Sequence, residues 1–280
     1  MAQSLSRVAE GLVRSSRGES LQWQGKTLAT HFQPIYSVHK AGCIGFEALV
    51  RATDAEGDPI RPGKLFAQAF SDGDGNLLDW ICRALHLRKF ATVDPGDRTL
   101  YLNVHPEAVV KDARSSHELA ELVRFYGLSP ERVCVEILES SCADEGLLRE
   151  AVAAYRSLGA SIAMDDFGIG RSNFDRIVRL RPDLVKIDRS VLIDAVGDRK
   201  SRLMLPSIVE LLHEAGAEVA VEGIESGNEA LLAMDSGADL LQGFHFAPPS
   251  ATLPDDALTR RILTELLRMR GTRLSAVGVS

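Results

Sequence analysis

The sequence predicts an α/β fold in which a mostly parallel sheet closes into a TIM-like (β/α)8 barrel. Three observations carry this. Short apolar runs alternate with helical patterns from about residue 30 onward, as βαβ units require. About eight such strands fall in a chain of 280 residues, close to the roughly 250 typical of closed barrels. No GxGxxG loop follows an early strand, which disfavours a doubly wound open sheet.

The elements run in order. Residues 1–28 are polar with one short amphipathic stretch and are expected to form a leading helix or a frayed tail. The barrel is expected over residues 29–272, with a C-terminal tail at 273–280. "THFQPIYSV" (30–38) and "CIGFEALVR" (43–51) have strand-like apolar content, and "LLDWICRALHLRKFA" (77–91) has helical spacing. Strand 98–104 and helix 115–127 follow, then strand 132–138, helix 146–159 and strand 160–166. Helix 172–180 precedes strand 182–188, and helix 200–216 contains Pro206, which is tolerable only near its first turns. Strand 217–223, helix 227–237, strand 238–244 and helix 255–270 complete the series.

Composition narrows the function. An apolar fraction of 45% and a charged fraction of 25% are those of an ordinary soluble globular protein. No apolar run reaches the roughly 18–20 residues needed to span a bilayer, so no membrane segment is expected. "MAQSLSRVAEGLVRSSRGES" lacks the apolar centre of a secretory signal, and a cytoplasmic protein is expected. A net charge of −7 without a basic run argues against DNA or RNA polymers as partners. Divalent metals could still reverse the local sign for a phosphate ester. Cys43, Cys82, Cys134 and Cys142 form no CxxC pair and no metal-ligand spacing, so reduced structural thiols are expected.

In a parallel barrel, functional side chains come from the C-terminal ends of the strands. Those ends carry Glu47, Asn103, Glu136 followed by Glu139, the Asp165/Asp166 pair, Lys186, Glu222 with Glu225, and Gln242. Folding alone would be better served by neutral caps, because gathered carboxylates repel. Carboxylates and an amide oxygen, without His or Cys, suit hard cations such as Mg²⁺ or Mn²⁺. The adjacent acids in "SIAMDDFGIGRS" (161–172) can serve two ions, one of them bridging both carboxylates. Two metals about 3.5–4 Å apart can activate water and stabilise the leaving oxygen of a phosphodiester. Lys186 would add positive charge beside the phosphate or the attacking water.

The ordered motifs are "FQPIYS" (32–37), "FEALVR" (46–51), "LNVHPE" (102–107), "EILES" (136–140), "MDDFGIG" (164–170), "VKIDR" (185–189), "VEGIES" (221–226) and "LLQGFHFAPP" (240–249). A lone "EAL" tripeptide would carry nothing, but the ordered set resembles the EAL-domain cyclic di-GMP phosphodiesterases over about residues 30–250. The resemblance implies an EAL-type barrel with an irregular first strand. It implies that Glu47, Asn103, Glu136 and Asp165 hold one ion and that Asp165 and Asp166 share a second, giving two Mg²⁺ or Mn²⁺ ions per site. Lys186 and Glu222 would act around the nucleophilic water, and Gln242 would help order the site. Glu139 and Glu225 would support it from outside, Glu139 by anchoring the loop after Asp166. Gln33, Leu49 and Arg51 fall where the family contacts the dinucleotide, with Asp79 a further candidate. The implied reaction converts cyclic di-GMP to linear pGpG, and the resemblance leans towards a homodimer. Leu138 stands where the family usually has Thr, and Ile169, Arg171 and Asn173 depart from the usual loop. These departures bear on the loop and the rate and leave the metal ligands whole.

Plainer readings exist for several residues. Asp165 and Asp166 could belong to a helix N-cap region, where aspartate is common. Lys186 could be a Schiff-base lysine, but that needs an apolar or cationic setting, and nearby carboxylates would instead keep it charged. Glu139 and Glu225 could simply favour the N-termini of following helices. Gln33 and Arg51 could be polar rim residues, His105 and His245 structural, and Cys134 a small buried residue. The rival function is a catalytically weak or inactive receptor that binds cyclic di-GMP without cleaving it. Family members of that kind lose metal ligands, whereas this sequence keeps every one. A pure scaffold would leave the acids unexplained.

Overall fold

The computed structural model describes residues 5–15, 19–93, 96–105, 108, 115–138, 144–169, 174–254 and 256–277. Helix α1 (Leu5–Ser15) precedes strands β1 (Ser20–Trp23), β2 (Lys26–Ser37), β3 (Gly42–Thr53) and β4 (Pro59–Ile60). Next come α2 (Pro62–Ser71), α3 (Gly75–Val93), β5 (Thr99–Val104), α4 (Ser115–Phe125), β6 (Val133–Leu138) and α5 (Glu145–Ser157). β7 (Ser161–Phe167), α6 (Phe174–Leu180), β8 (Leu184–Ile187), α7 (Arg189–Gly197), α8 (Arg199–Glu214) and β9 (Glu218–Val221) follow. α9 (Gly227–Asp235), β10 (Leu240–Leu241) and α10 (Asp256–Val277) end the series. No helix among the described residues is long and apolar enough to cross a membrane.

The strand order is β1-β2-β10-β9-β8-β7-β6-β5-β3-β4, and an additional β2–β3 pairing closes eight of these strands into the expected TIM-like barrel. Its first strand is irregular: β2 runs antiparallel to β10, with Leu240 opposite Ser37. The pairs β5–β6, β7–β8, β8–β9 and β9–β10 are parallel. The chain divides into two compact units, Met1–Phe32 with Glu47–Ile162, and Gln33–Phe46 with Ala163–Ser280.

In the first unit, the leading residues hold more than the expected helix or tail. β1 and the start of β2 form a hairpin whose two-residue turn, Gln24 and Gly25, has positive φ at both positions (47° and 72°). That combination is what a type I′ hairpin requires. α1 packs against α3 and α4. It seats the fully buried Ala9 and Val13, so α3 is buried on nearly every face rather than presenting a polar outer one. α2 was not expected; it is short and begins with Pro62, whose fixed φ suits a first helical position.

In the second unit, Val185, Ile187, Val219, Val221 and Leu241 are fully buried on the strands, with α8 packed on β9 and α7 on α8. α7 was also unexpected; the Asp188 side chain starts it by accepting a hydrogen bond from Ser190 N at 2.8 Å. Pro206 corrects the expectation that it must lie in the first turns, because it sits inside α8. Its missing N–H deprives the Arg202 carbonyl of an intrahelical donor, and both residues lie on the exposed face, where water can substitute.

One buried side chain of α3 makes acid stability testable. His86 Nδ1 lies 2.7 Å from Thr30 Oγ1, and burial pushes its imidazole down to about 3 against an upward pull from Glu47. An unfolded histidine titrates near 6.5. Below that pH the unfolded chain takes a proton that the native chain refuses. The stability from neutral His86 is therefore complete above about pH 6.5 and lost as pH falls towards 3. His86→Gln should flatten the pH dependence of stability between about pH 6 and 4 by up to one proton, or about 1.4 kcal/mol per pH unit. Urea denaturation across that range reads the slope, and an unchanged slope would refute the assignment.

Candidate functional site

The first unit supplies one set of oxygens. Strand periodicity places Glu47, Leu49 and Arg51 on one face of β3 and the buried Ala48, Val50 and Ala52 on the other. Asn103 lies one residue before the end of β5, and its Nδ2 donates to Glu47 Oε1 at 2.8 Å. The β5–β6 register sets Asn103 beside Glu136. Glu47 and Glu136 are both buried and offer carboxylate oxygens within 4.8 Å of each other. Two buried anions so close repel, and a divalent cation relieves that repulsion. The donor set is oxygen alone, which suits a hard divalent cation. Arg51 is half-buried, and its Nη1 donates to the Val50 carbonyl at 3.0 Å. Burial lowers its guanidinium pKa, with Glu47 pulling the other way.

The second unit supplies the other set. In a regular strand, adjacent residues such as Asp165 and Asp166 would point to opposite faces. Here the β7–β8 register shifts between Met164 and Phe167, and Asp166 adopts φ 59°. This bulge breaks the alternation, and aspartate is among the few residues that tolerate the left-handed conformation. Asp166 N donates to Asp165 Oδ1 at 2.9 Å. Lys186 on β8 is 1% exposed, and its Nζ lies 3.3 Å from Asp165 Oδ1 and 2.6 Å from Glu222 Oε1. A buried ammonium persists only when paired in this way. Two carboxylate neighbours favour the charged form of a lysine, which argues against the Schiff-base reading.

Glu222 sits just past β9. Its N donates to the Ile187 carbonyl at 3.0 Å, and Gln242 N donates to the Val221 carbonyl at 3.0 Å. Sheet-like hydrogen bonding thus continues beyond the assigned strand ends and fixes the backbone of both residues. Gln242 is buried, as is Gln33 on β2.

Other expected residues lie elsewhere. Asp79 is buried in α3, where one oxygen pairs with Arg83 and the other accepts from His105 N at 3.0 Å. Both oxygens therefore have internal partners. His105 packs its ring on Phe70, with centroids 4.0 Å apart, and His245 meets Phe246 edge-on at 5.3 Å, so both serve packing. Glu225 is exposed and lies 2.7 Å from Arg189 Nη2. The sequence signal for Arg189 was present in "VKIDR", but nothing local marks an arginine there as a partner of the β9–α9 segment. Glu139, Arg171 and Asn173 lie outside the described residues.

Comparison with known proteins adds context to this geometry. The EAL domain model matches residues 18–249. Cyclic di-GMP phosphodiesterase RocR of Pseudomonas aeruginosa is 28% identical over 233 residues, covering 78% of this chain and 56% of RocR. The crystal structure of Bacillus subtilis YkuI, with an EAL domain in complex with substrate c-di-GMP and calcium, matches with a TM-score of 0.77. Identity there is 26%, covering 89% of this chain and 62% of that one. Klebsiella pneumoniae BlrP1, in its manganese and cyclic di-GMP complex at pH 6, matches with a TM-score of 0.74 at 26% identity, covering 86% and 60%. The chain spans less than two thirds of the length of each of these relatives.

Proposed function

Since the chain belongs to the EAL domain family, we propose that it hydrolyses cyclic di-GMP to linear pGpG with two bound Mg²⁺ or Mn²⁺ ions. The observation that carries this reading is the burial of the strand carboxylates Glu47, Glu136 and Asp165, together with the buried Lys186. Glu47, Asn103, Glu136 and Asp165 would hold one ion, and Asp165 with Asp166 the other. When bound, the ions would supply an activated water and neutralise charge on the phosphate.

The chain's own groups do the rest. Lys186 presents a fixed positive charge to the phosphate oxygens. Glu222, oriented by Lys186, accepts a hydrogen bond from the attacking water. Gln242 holds the backbone beside Glu222. Gln33, Leu49 and Arg51 contact the dinucleotide, with Arg51 donating a charge-assisted hydrogen bond to a phosphate. The net charge of −7 favours this small metal-masked ligand over a DNA or RNA polymer, in keeping with a cytoplasmic signalling role.

Chromatography of products formed with Mg²⁺, with Mn²⁺ and with chelator tests the proposal. Linear pGpG should form with metal and not with chelator. Binding of cyclic di-GMP without any linear product, at high protein concentration and with either metal, would replace the enzyme by a receptor.

A further inference from the structure

We infer that Arg189 is a positioning residue that clamps the segment after β9 and so sets where Glu222 stands against Lys186. The inference rests on the proposed roles of those two residues. Arg189 opens α7, three residues after Lys186, and its Nη1 donates to the carbonyl of Gly223, the residue after Glu222. Its Nη2 lies 2.7 Å from Glu225 Oε2, and Nη1 lies 3.6 Å from Glu229 Oε2. That same Glu229 oxygen accepts from Glu225 N at 2.6 Å and from Ser226 N at 3.1 Å. Ser226 Oγ in turn accepts from Glu229 N, completing the capping box of α9. One guanidinium therefore joins the start of α7 to the whole turn between β9 and α9.

Gly223 shows how closely the parts fit. It has φ 64°, and a Cβ added there would come within 2.6–2.9 Å of the Arg189 Cβ, Cγ and Cδ. The stem of Arg189 thus lies directly on the Gly223 backbone, which only glycine permits. Glu222 N and Ile224 N are already tied to Ile187 and Gln242 carbonyls at 3.0 and 3.1 Å, and the Arg189 bond fixes the carbonyl between them. The ion pairs are partly exposed, and such pairs contribute little to stability. The clamp therefore acts on geometry, to which catalysis is far more sensitive. Glu225 gains a role as the group that holds the guanidinium over Gly223.

Arg189→Met keeps the stem and removes the guanidinium, whereas Arg189→Lys keeps charge and one donor. Amide exchange of peptides covering 222–226, read by mass spectrometry, should rise about tenfold in Arg189→Met and recover in Arg189→Lys. With metal and cyclic di-GMP, kcat should fall by roughly 10–100-fold in Arg189→Met, with KM and Tm little changed. Unchanged exchange would overturn the clamp. Raised exchange with parental kcat, or a kcat loss matched by a fall in Tm, would overturn the positioning role. If the parent chain shows no turnover, the proposed activity fails, and exchange with its recovery in Arg189→Lys decides the clamp alone.

Discussion

Glu47→Ala and Asp165→Ala are each expected to lower turnover by roughly 10³-fold or more while the chain stays folded. A metal ion contributes several kcal/mol of charge stabilisation, and each 1.36 kcal/mol is about a factor of ten in rate. Each variant deletes a buried carboxylate that the proposed ion would share. In the first unit, Glu47→Ala leaves Asn103 Nδ2 without the acceptor now 2.8 Å away, a modest loss. It also removes the repulsion between Glu47 and Glu136, a gain in metal-free protein. In the second unit, Asp165→Ala leaves Lys186 still paired with Glu222 at 2.6 Å, so the buried ammonium keeps a counter-charge. Melting in chelator should therefore be near parental in both variants. Mn²⁺ should raise the parental Tm, because a ligand that binds only the native state stabilises it, and should do so much less in either variant. Near-parental turnover in either one would sink the ligand assignment.

Asp165 was legible in the sequence because strand ends can be located from local periodicity, and it falls within the last three residues of β7. Glu47, expected at a strand end, instead lies midway along the twelve-residue β3, which runs on to Thr53 and pairs there with β4. That Asp165 and Asp166 escape strict strand alternation was not legible. Alternation along β7 sets them on opposite faces, and the bulge that breaks it exists only through pairing with β8. The fold was similarly clear where apolar spacing was regular, and obscure where structure depends on distant chain. α2 and α7 are short helices begun by a proline and by an aspartate cap, and their weak patterns resemble loops. The Arg189 clamp closes over Gly223, which lies far along the chain. Burial of charged residues in α3 was hidden for a comparable reason: the face that would be solvent-exposed on an outer barrel helix is covered by α1. Asp79 and Arg83 at positions i and i+4 look in sequence like an ordinary surface pair. They are 2% and 1% exposed.

That burial makes Asp79→Ala the largest expected stability loss, about 3–5 kcal/mol. Arg83 is held above its ordinary pKa although burial opposes its charge, because Asp79 and Tyr155 outweigh that penalty. Burial conversely pushes the Asp79 carboxyl up, with Arg83 and the His105 amide pulling it back. The pair survives only because each member is present. Deleting Asp79 strands a guanidinium whose remaining neighbours are Tyr155 and the face of Trp80, 4.6 Å from its Cζ. It also removes the acceptor that His105 N uses at 3.0 Å, two residues beyond Asn103 on the same chain. Asp79→Asn restores that acceptor but not the charge and should cost less than Asp79→Ala. Replacing both partners, as Asp79→Leu with Arg83→Met, should recover most of the loss, since a buried pair exchanged for apolar groups is often neutral. Urea denaturation of the parent, Asp79→Leu, Arg83→Met and the double variant closes a double-mutant cycle. A loss below about 1 kcal/mol in Asp79→Ala would show that the guanidinium finds water or another partner. Calorimetry of cyclic di-GMP binding in Ca²⁺ then separates the two roles open to Asp79. A ligand contact would make Asp79→Asn weaken binding about tenfold or more. An internal anion leaves affinity near parental while stability falls, which is the outcome its two occupied oxygens lead us to expect.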